Sequence, residues 1–108
     1  MKLVLAIVQD QDVQAVMANL TREGFGATKL ASTGGFLREG NSTILIGVEE
    51  EKVEQVLRLI GGCCRTRKQL VQPISAVGGL GDLIPPPIEV PVGGATVFVL
   101  HVERFEKV

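Results

Sequence analysis

The residues best suited to hold a ligand form a glycine-rich stretch at residues 33–37. The consecutive glycines Gly34 and Gly35 leave backbone N–H groups free to converge on an anion. Phe36 and Leu37 follow at the tip of an otherwise polar turn, where apolar side chains are poorly placed unless something covers them. A flat aromatic group, such as an adenine ring stacked on Phe36, would cover them. The stretch therefore predicts a site for a flat ligand that carries negative charge.

Polar side chains near this stretch fit the same kind of ligand. Lys29 and Arg38 can pair with phosphate charge. Thr28 and Asn41 supply neutral donors and acceptors for a base edge or a ribose. The glycines that would let a flat ligand approach strand backbone closely are Gly47, Gly93 and Gly94. Each of these residues alone also has an ordinary structural interpretation, such as a hairpin turn or a solvated side chain, and only the whole group indicates ligand binding.

Residues that could catalyse a reaction or hold a metal are few. His101 is the single histidine and lies in an apolar strand, where a packed or partly exposed imidazole is the ordinary interpretation. Cys63 and Cys64 are adjacent, so they cannot join distant parts of the chain, and no CxxC or Cys/His spacing suggests a metal site. This cysteine usage indicates a reduced, cytoplasmic setting. We therefore predict a protein that is not an enzyme and carries no metal or other cofactor.

The composition narrows the classes of partner. The 108 residues are 45% hydrophobic and 21% charged, with a net charge of −1, which is typical of one globular domain. This charge, together with four Phe and no Trp or Tyr, argues against DNA or RNA as partners. The apolar run at residues 3–8 is too short for a membrane span, which needs roughly 20 apolar residues, and too short for a secretory signal. No membrane insertion is expected.

The spacing of apolar residues predicts two strand–helix–strand units that would position these side chains. Asp10 or Asp12 is placed to cap the first helix, and the second helix is expected to begin at the acidic residues 49–51 and end at Gly61 and Gly62. The apolar helical stripes are Val13, Val16, Met17 and Leu20 in the first helix and Val53, Val56, Leu57 and Ile60 in the second. The predicted strands are residues 3–8, 25–33, 42–48, 63–72, 88–92 and 95–102.

The resulting order, βαββαβ, is that of an α+β ferredoxin-like sandwich with an extra C-terminal strand, formed by residues 1–108 as a single domain. A strand at 63–72 would direct the two thiols to opposite faces. Strands 3–8 and 95–102 are apolar on both faces, and the two helices can cover only one face of the sheet. An apolar face of that size is rarely left exposed in a soluble monomer, so we expect self-association. The alternative is that the long loop at 73–87 folds back over the face.

Several sequence stretches together resemble a known family: residues 6–12 (AIVQDQD), 27–38 (ATKLASTGGFLR), 40–43 (GNST) and 92–99 (VGGATVFV), completed by 47–48 (GV), 78–79 (GG) and 89–90 (EV). In them the chain resembles the PII-like signal transduction proteins, and among these the cyclic di-AMP receptor subfamily. The resemblance implies a homotrimer with inward-facing sheets, a T-loop near 34–40, a B-loop near 73–87, and cyclic di-AMP bound in clefts between subunits. It also implies that occupancy is relayed through loop rearrangement to a downstream protein that the sequence does not identify.

Carried over by position, the residues that would line the cleft are Thr28, Gly35, Phe36, Leu37, Asn41, Gly47, Gly94 and Phe98. Lys29, Arg38 and Gly93 join the candidate site from the residue chemistry above. The chain departs from the subfamily at Gly24 and Gly26, where Asn and Arg are typical, and at Lys107, where a Gln is common. These departures leave two alternatives open, a PII-type sensor of ATP or ADP and a trimer that has lost ligand binding. An acylphosphatase-like enzyme is disfavoured because residues 9–12 (QDQD) carry two carboxylates where that chemistry needs an arginine.

Overall fold

The computed structural model describes residues 1–32, 40–71 and 87–108 of the chain. Its elements are β1 (Lys2–Gln9), α1 (Asp10–Arg22), β2 (Ala27–Ser32), β3 (Asn41–Val48), a 3₁₀ turn (Glu50–Lys52), α2 (Val53–Cys64), β4 (Arg67–Val71), β5 (Ile88–Val92) and β6 (Ala95–His101). A four-stranded antiparallel sheet has the order β2-β3-β1-β6, and β4 and β5 form a separate two-stranded hairpin. Apart from Gly40 and Pro87, the predicted T-loop and B-loop lie outside the described residues.

Strand β1 lies in the middle of the sheet because its sequence is apolar on both faces. Val4, Ala6 and Val8 are fully buried beneath the two helices. Ile7, on the opposite face, is also buried, whereas Leu5 on that face is only partly buried. The alternation predicted for this strand is confirmed.

Helices α1 and α2 pack on one face of the sheet through the predicted apolar stripes. The stripe residues that are buried in the core are Val13, Val16, Leu20, Val53, Val56 and Ile60, while Met17 and Leu57 are partly buried beside them. The spacing at every third or fourth residue therefore identified the buried faces correctly. Neither helix of the described ranges is long and apolar enough to cross a membrane.

The predicted end of the second helix at Gly61 and Gly62 is wrong, because α2 continues to Cys64. A glycine inside a helix costs only about 0.5–1 kcal/mol relative to alanine, and tertiary contacts offset this cost. Cys64 is buried in the core, and Asn19 of α1 donates a hydrogen bond from Nδ2 to Cys63 Sγ at 2.9 Å. Both thiols therefore belong to a helix and not to opposite faces of a strand.

The fourth strand of the sheet is β6 and not the predicted strand at 63–72. Strand β6 pairs antiparallel with β1 from Lys2–His101 to Val8–Ala95. Its aliphatic and aromatic residues suit a place beside the central strand, whereas β4 begins with Arg67, Lys68 and Gln69. The arrangement is compatible with a ferredoxin-like fold in which the additional unit is the β4–β5 hairpin, inserted before the last strand.

The second face of the sheet is apolar and substantially exposed, as the sequence predicted. Side chains at register positions Thr28, Leu45, Leu5 and Phe98 form one row across the four strands. Of the large apolar residues on this face, Leu30 is 47% exposed, Phe98 44% and Leu100 45%. We call the surface formed by Leu3, Leu5, Leu30, Leu45, Phe98 and Leu100 the open face.

Candidate functional site

The structure describes seven of the eleven predicted site residues. Gly35, Phe36, Leu37 and Arg38 lie outside the described residues. The other seven occupy three separate places on the subunit, and each place is set by the strand register.

The first place is the open face, which carries Thr28, Gly47 and Phe98. Thr28 and Phe98 share the cross-strand row through Leu45 and Leu5, and Gly47 lies opposite Leu3 in the pairing of β3 with β1. A Cβ atom at Gly47 would meet none of the described residues within 4 Å, so the space above this glycine is open to them. A flat group could therefore approach the backbone here, as the sequence predicted for this residue type.

The second place is the far end of β1, where Asn41, Gly93 and Gly94 lie near Gln9. Asn41 is paired opposite Gln9 in the strand register and is 1% exposed. The Gly93 N–H donates a hydrogen bond to Gln9 Oε1 at 2.6 Å, and the Gly94 N–H donates to the carbonyl oxygen of Cys64. These contacts hold the turn between β5 and β6 against the ends of β1 and α2.

The two glycines of this turn have a structural reason to be glycine. Their φ angles are +91° at Gly93 and +84° at Gly94, in the region that residues with a side chain rarely adopt. A Cβ atom at Gly93 would also overlap the carbonyl oxygen of Arg65 and lie 2.9 Å from Arg67 Nη1. The turn geometry thus accounts for Gly93 without a ligand contact.

The third place is the helix-covered side of the sheet, where Lys29 lies. Lys29 lines a shallow cavity of about 430 Å³ together with Asp10, Val13, Gln14 and Met17. Since neighbouring residues of a strand point to opposite faces, Lys29 and Thr28 are directed to different sides of the sheet. Asn41 and Gly47, six residues apart on β3, are separated by roughly 20 Å at the usual rise per residue. One ligand cannot touch all seven residues within one subunit.

A larger cavity of about 570 Å³ opens at the end of β1 beside the β4–β5 hairpin. It is lined by Gln9, Asp10, Gln11, Gly40, Gln69, Val90 and Val92. None of these residues was predicted as a site residue. Gln9, Asp10 and Gln11 could have been found from the abrupt change in the sequence from an apolar run to residues 9–12 (QDQD). Polar side chains directly after a buried central strand lie at an edge of the sheet.

Asp12 and Arg67 form an ion pair beside this cavity. Arg67 Nη2 donates to Asp12 Oδ1 at 2.8 Å, and the Asp12 side chain is 5% exposed. The hydrogen bond to Asp12 and the charge of that carboxylate raise the pKa of Arg67. The other carboxylate oxygen, Asp12 Oδ2, is buried and has no hydrogen-bond partner among the described residues.

The prediction that Asp10 or Asp12 caps the first helix is wrong. The N-cap position of α1 is Gln9, and no side chain makes the capping hydrogen bond. Both aspartates instead make tertiary contacts, Asp12 with Arg67 and Asp10 with Ser42, whose hydroxyl donates to Asp10 Oδ1 at 2.8 Å. Their negative charge in the first turn remains favourable to the helix dipole.

Cys64 lacks the properties of a reactive thiol. Burial, followed by the charges of Asp12 and Cys63, raises the pKa of the Cys64 thiol to about 12. The thiolate is the nucleophilic form, so this thiol is unreactive near neutral pH. In the part of the chain that the structure describes, no group of three or more His, Cys, Asp or Glu residues is arranged to hold a metal ion.

Comparison with known proteins identifies the family. Residues 1–108, the whole chain, match the family described as the cyclic-di-AMP receptor. The chain is also similar to a protein of solved crystal structure from Pediococcus pentosaceus ATCC 25745, described as functionally unknown, with 44% sequence identity and a TM-score of 0.79. That likeness covers 99% of this chain and 96% of the other. The match over its full length shows that this chain belongs to the cyclic-di-AMP receptor family.

Proposed function

We propose that this protein is a non-enzymatic receptor that binds cyclic di-AMP in clefts between the subunits of a homotrimer. Occupancy of the clefts would be relayed through the loops at 34–40 and 73–87 to a downstream protein. The observation that carries the proposal is the family match over all 108 residues. The two free thiols fit a cytoplasmic location for such a receptor, because a reducing compartment keeps them unpaired.

The open face supports self-association. Leu30, Phe98 and Leu100 are each close to half exposed and lie on one side of the sheet. Packing this face against other copies of the chain would bury apolar surface, and each Å² buried contributes about 25 cal/mol to the free energy of association. The resemblance to PII-like proteins, and not the face itself, is the reason to propose three copies.

The scattered positions of the predicted site residues support a site between subunits. Thr28 and Gly47 lie on the open face, whereas Asn41 and Gly93 lie at the far end of β1. A cleft between neighbouring copies would bring one end of a subunit close to the open face of the next. The scattering within one subunit is therefore expected for a shared site.

The two glycines that replace subfamily residues occupy open space. Within the described ranges, a Cβ atom at Gly26 would meet nothing closer than 4 Å, and the same holds at Gly24, whose φ is +86°. An arginine is thus sterically possible at position 26, and an asparagine, which tolerates positive φ, is possible at position 24. The binding groups absent here have not been replaced by packing, which supports a weakened cyclic di-AMP site.

The same two glycines favour the alternative, a sensor of ATP or ADP, because they remove groups that the subfamily would use for the dinucleotide. Equilibrium dialysis with labelled cyclic di-AMP and unlabelled competitors separates these functions. We expect unlabelled cyclic di-AMP to displace the label and ATP, ADP and cyclic di-GMP to leave it bound. Displacement by ATP or ADP at lower concentration than cyclic di-AMP would favour the alternative, and retention of no nucleotide would indicate a trimer that has lost ligand binding.

Phe98 and Val99 provide a matched pair of variants for the dialysis experiment. The two residues are adjacent on β6 and each is 44% exposed, but strand alternation directs Phe98 to the open face and Val99 to the opposite side. Phe98→Ala should weaken retention of cyclic di-AMP, and Val99→Ala should not. Equal effects of the two substitutions would contradict a site that uses the open face.

A further inference from the structure

Residues 9–12, which we call the QDQD segment, join β1 directly to α1 and contact two regions that are distant in sequence. One region is the start of β3, which follows residues 33–39 in the sequence. The other region is the base of the β4–β5 hairpin, whose strands are joined through residues 72–87. The contacts on the two sides involve neighbouring residues of the same segment.

On the β3 side, Asp10 makes two hydrogen bonds. Its backbone N–H donates to the carbonyl oxygen of Gly40 at 3.0 Å, and its Oδ1 accepts from the Ser42 hydroxyl at 2.8 Å. The approach is close, since a Cβ atom at Gly40 would lie 2.7 Å from Asp10 Oδ2. The start of β3 therefore cannot shift without moving Asp10 or breaking these bonds.

On the hairpin side, the segment holds both strands at their base. Gln9 Oε1 accepts from the N–H of Gly93, which follows β5, and Asp12 Oδ1 accepts from Arg67, the first residue of β4. Arg67 Nη1 also donates to the carbonyl oxygen of Arg65 at 3.2 Å, which fixes the guanidinium from a second side. The hairpin thus rests on two side chains of the QDQD segment.

The two ends of the QDQD segment have little room to absorb a displacement. Gln9 and Asp12 are buried, whereas Asp10 and Gln11 between them are exposed, and the segment continues into a helix whose apolar stripe is packed in the core. Close-packed interiors transmit small shifts and do not deform freely. The Asp12 carboxylate is buried while the Arg67 side chain is 39% exposed, and a buried carboxylate that loses a hydrogen-bond donor is disfavoured, so a shift of Asp12 is expected to draw Arg67 with it.

We propose that the QDQD segment couples the start of β3 to the base of the β4–β5 hairpin, with Asp10 and Asp12 as positioning residues. The proposal rests on the proposed function in one respect, because the binding of cyclic di-AMP is the signal that the segment would transmit. A ligand that displaces the start of β3 then changes the position of the hairpin through Asp10, the first turn of α1 and Asp12. The two regions respond together although they are separated by the whole of α2.

The first test uses the chain without ligand and measures backbone amide exchange by mass spectrometry. Ser42→Ala removes the hydroxyl bonded to Asp10 and should speed exchange in residues 88–92 by about threefold or more, the size expected for coupled residues. Thr43→Ala is the matched control, because the next side chain on β3 is directed to the other face of the sheet. Unchanged exchange in the hairpin of the Ser42→Ala variant would overturn the proposal.

The reverse test perturbs the hairpin and measures the start of β3. Arg67→Gln should speed amide exchange in residues 41–44, whereas Lys68→Gln should not, since Lys68 pairs with Glu89 of the hairpin itself at 3.7 Å. The double variant Ser42→Ala/Arg67→Gln should have a non-additive effect on exchange, because both changes act on one connected set of contacts. Strict additivity would overturn the proposal.

The third test measures amide exchange with cyclic di-AMP present, and it separates this inference from the proposed function. In the native chain the ligand should alter exchange both at residues 41–44 and at residues 88–92. In Asp12→Asn, where the ion pair is removed but the hydrogen bond from Gly93 to Gln9 remains, the ligand should still alter residues 41–44 and should have a smaller effect at residues 88–92. If the ligand affects the hairpin equally in both proteins, the coupling is overturned. If the native chain fails to bind cyclic di-AMP, the proposed function is overturned, and the two ligand-free tests then decide whether the coupling exists.

Discussion

Replacement of Gly93 by alanine tests the turn that joins the β4–β5 hairpin to the body of the sheet. Gly24 is a matched control, because its φ of +86° is close to the +91° of Gly93 and no atom of the described residues lies within 4 Å of a Cβ placed there. An alanine at such a φ costs about 1–2 kcal/mol from the backbone alone. At Gly93 the new Cβ also overlaps the carbonyl oxygen of Arg65 and crowds Arg67 Nη1.

The added crowding sets the expected size of the effect. Overpacking of a fixed environment typically costs a further 1–3 kcal/mol, so Gly93→Ala should lower the free energy of unfolding by about 2–5 kcal/mol. Gly24→Ala should lower it by about 1–2 kcal/mol. Gly26→Ala, at a glycine with an ordinary φ and no neighbour within 4 Å, should change it by less than about 0.5 kcal/mol.

Urea unfolding followed by far-ultraviolet circular dichroism measures these three values. All proteins are compared at one chain concentration, since association makes the apparent stability depend on concentration. Equal losses for Gly93→Ala and Gly24→Ala would show that nothing is packed against Gly93. That result would refute the contacts of the turn with Arg65 and Arg67, and with them the position of the hairpin base.

Three further results are expected. Gly61→Ala and Gly62→Ala should each raise the free energy of unfolding by about 0.5–1 kcal/mol, because both glycines lie inside a helix and no described residue crowds them. A loss of stability in urea unfolding would contradict the continuous helix. Cys64 should resist alkylation by iodoacetamide in the folded chain at pH 8, because burial keeps its thiol protonated. Its pKa is raised from 9.0 for an unperturbed thiol to about 12 in the folded chain, so the stability that it contributes should be complete below pH 9 and decline as the pH rises towards 12. A Cys64→Ala variant with the same decline in denaturation experiments above pH 9 would refute this assignment. Gly26→Arg should tighten cyclic di-AMP binding by about 10- to 100-fold in equilibrium dialysis with labelled ligand if the cleft retains its shape, since a charge-assisted hydrogen bond contributes about 1.5–3 kcal/mol. Unchanged affinity would show that the cleft differs around position 26.

The sequence was sufficient to predict the central strand and the buried faces of both helices. Val4, Ala6 and Val8 alternate with a second apolar set, and the stripe through Val56 and Ile60 has helical spacing. These are local patterns whose period follows directly from strand and helix geometry. The same patterns predicted the exposed open face, because both faces of the central strand are apolar and two helices can cover only one face of the sheet.

The end of α2 and the place of β4 could not be predicted in this way. Two consecutive glycines are an ordinary signal for the end of a helix, and only the burial of Cys64 and the bond from Asn19 to Cys63 explain why this helix continues. Strand β4 has no strong apolar pattern, so its partner is decided by tertiary contacts such as Arg67 with Asp12. Such contacts join residues that are far apart in sequence.

The candidate site residues were chosen from the sequence by type, and the structure adds only where the described ones lie. The sequence singled out Thr28, Gly47 and Phe98, and strand register puts all three on one face. It also grouped them with Lys29, which the structure places on the opposite side of the sheet. The roles of Gln9 and Asp12 were missed because a polar residue after a strand has many possible partners, and the fold alone selects Gly93 and Arg67.

Native mass spectrometry of the chain mixed with cyclic di-AMP tests the central claim most directly, because it counts chains and ligands in the same particle. Three equivalent clefts in a cyclic trimer hold one ligand per chain. The account predicts a particle of three 11.5 kDa chains that carries up to three molecules of cyclic di-AMP. A single chain, or a trimer that remains free of ligand at saturating concentration, would contradict it.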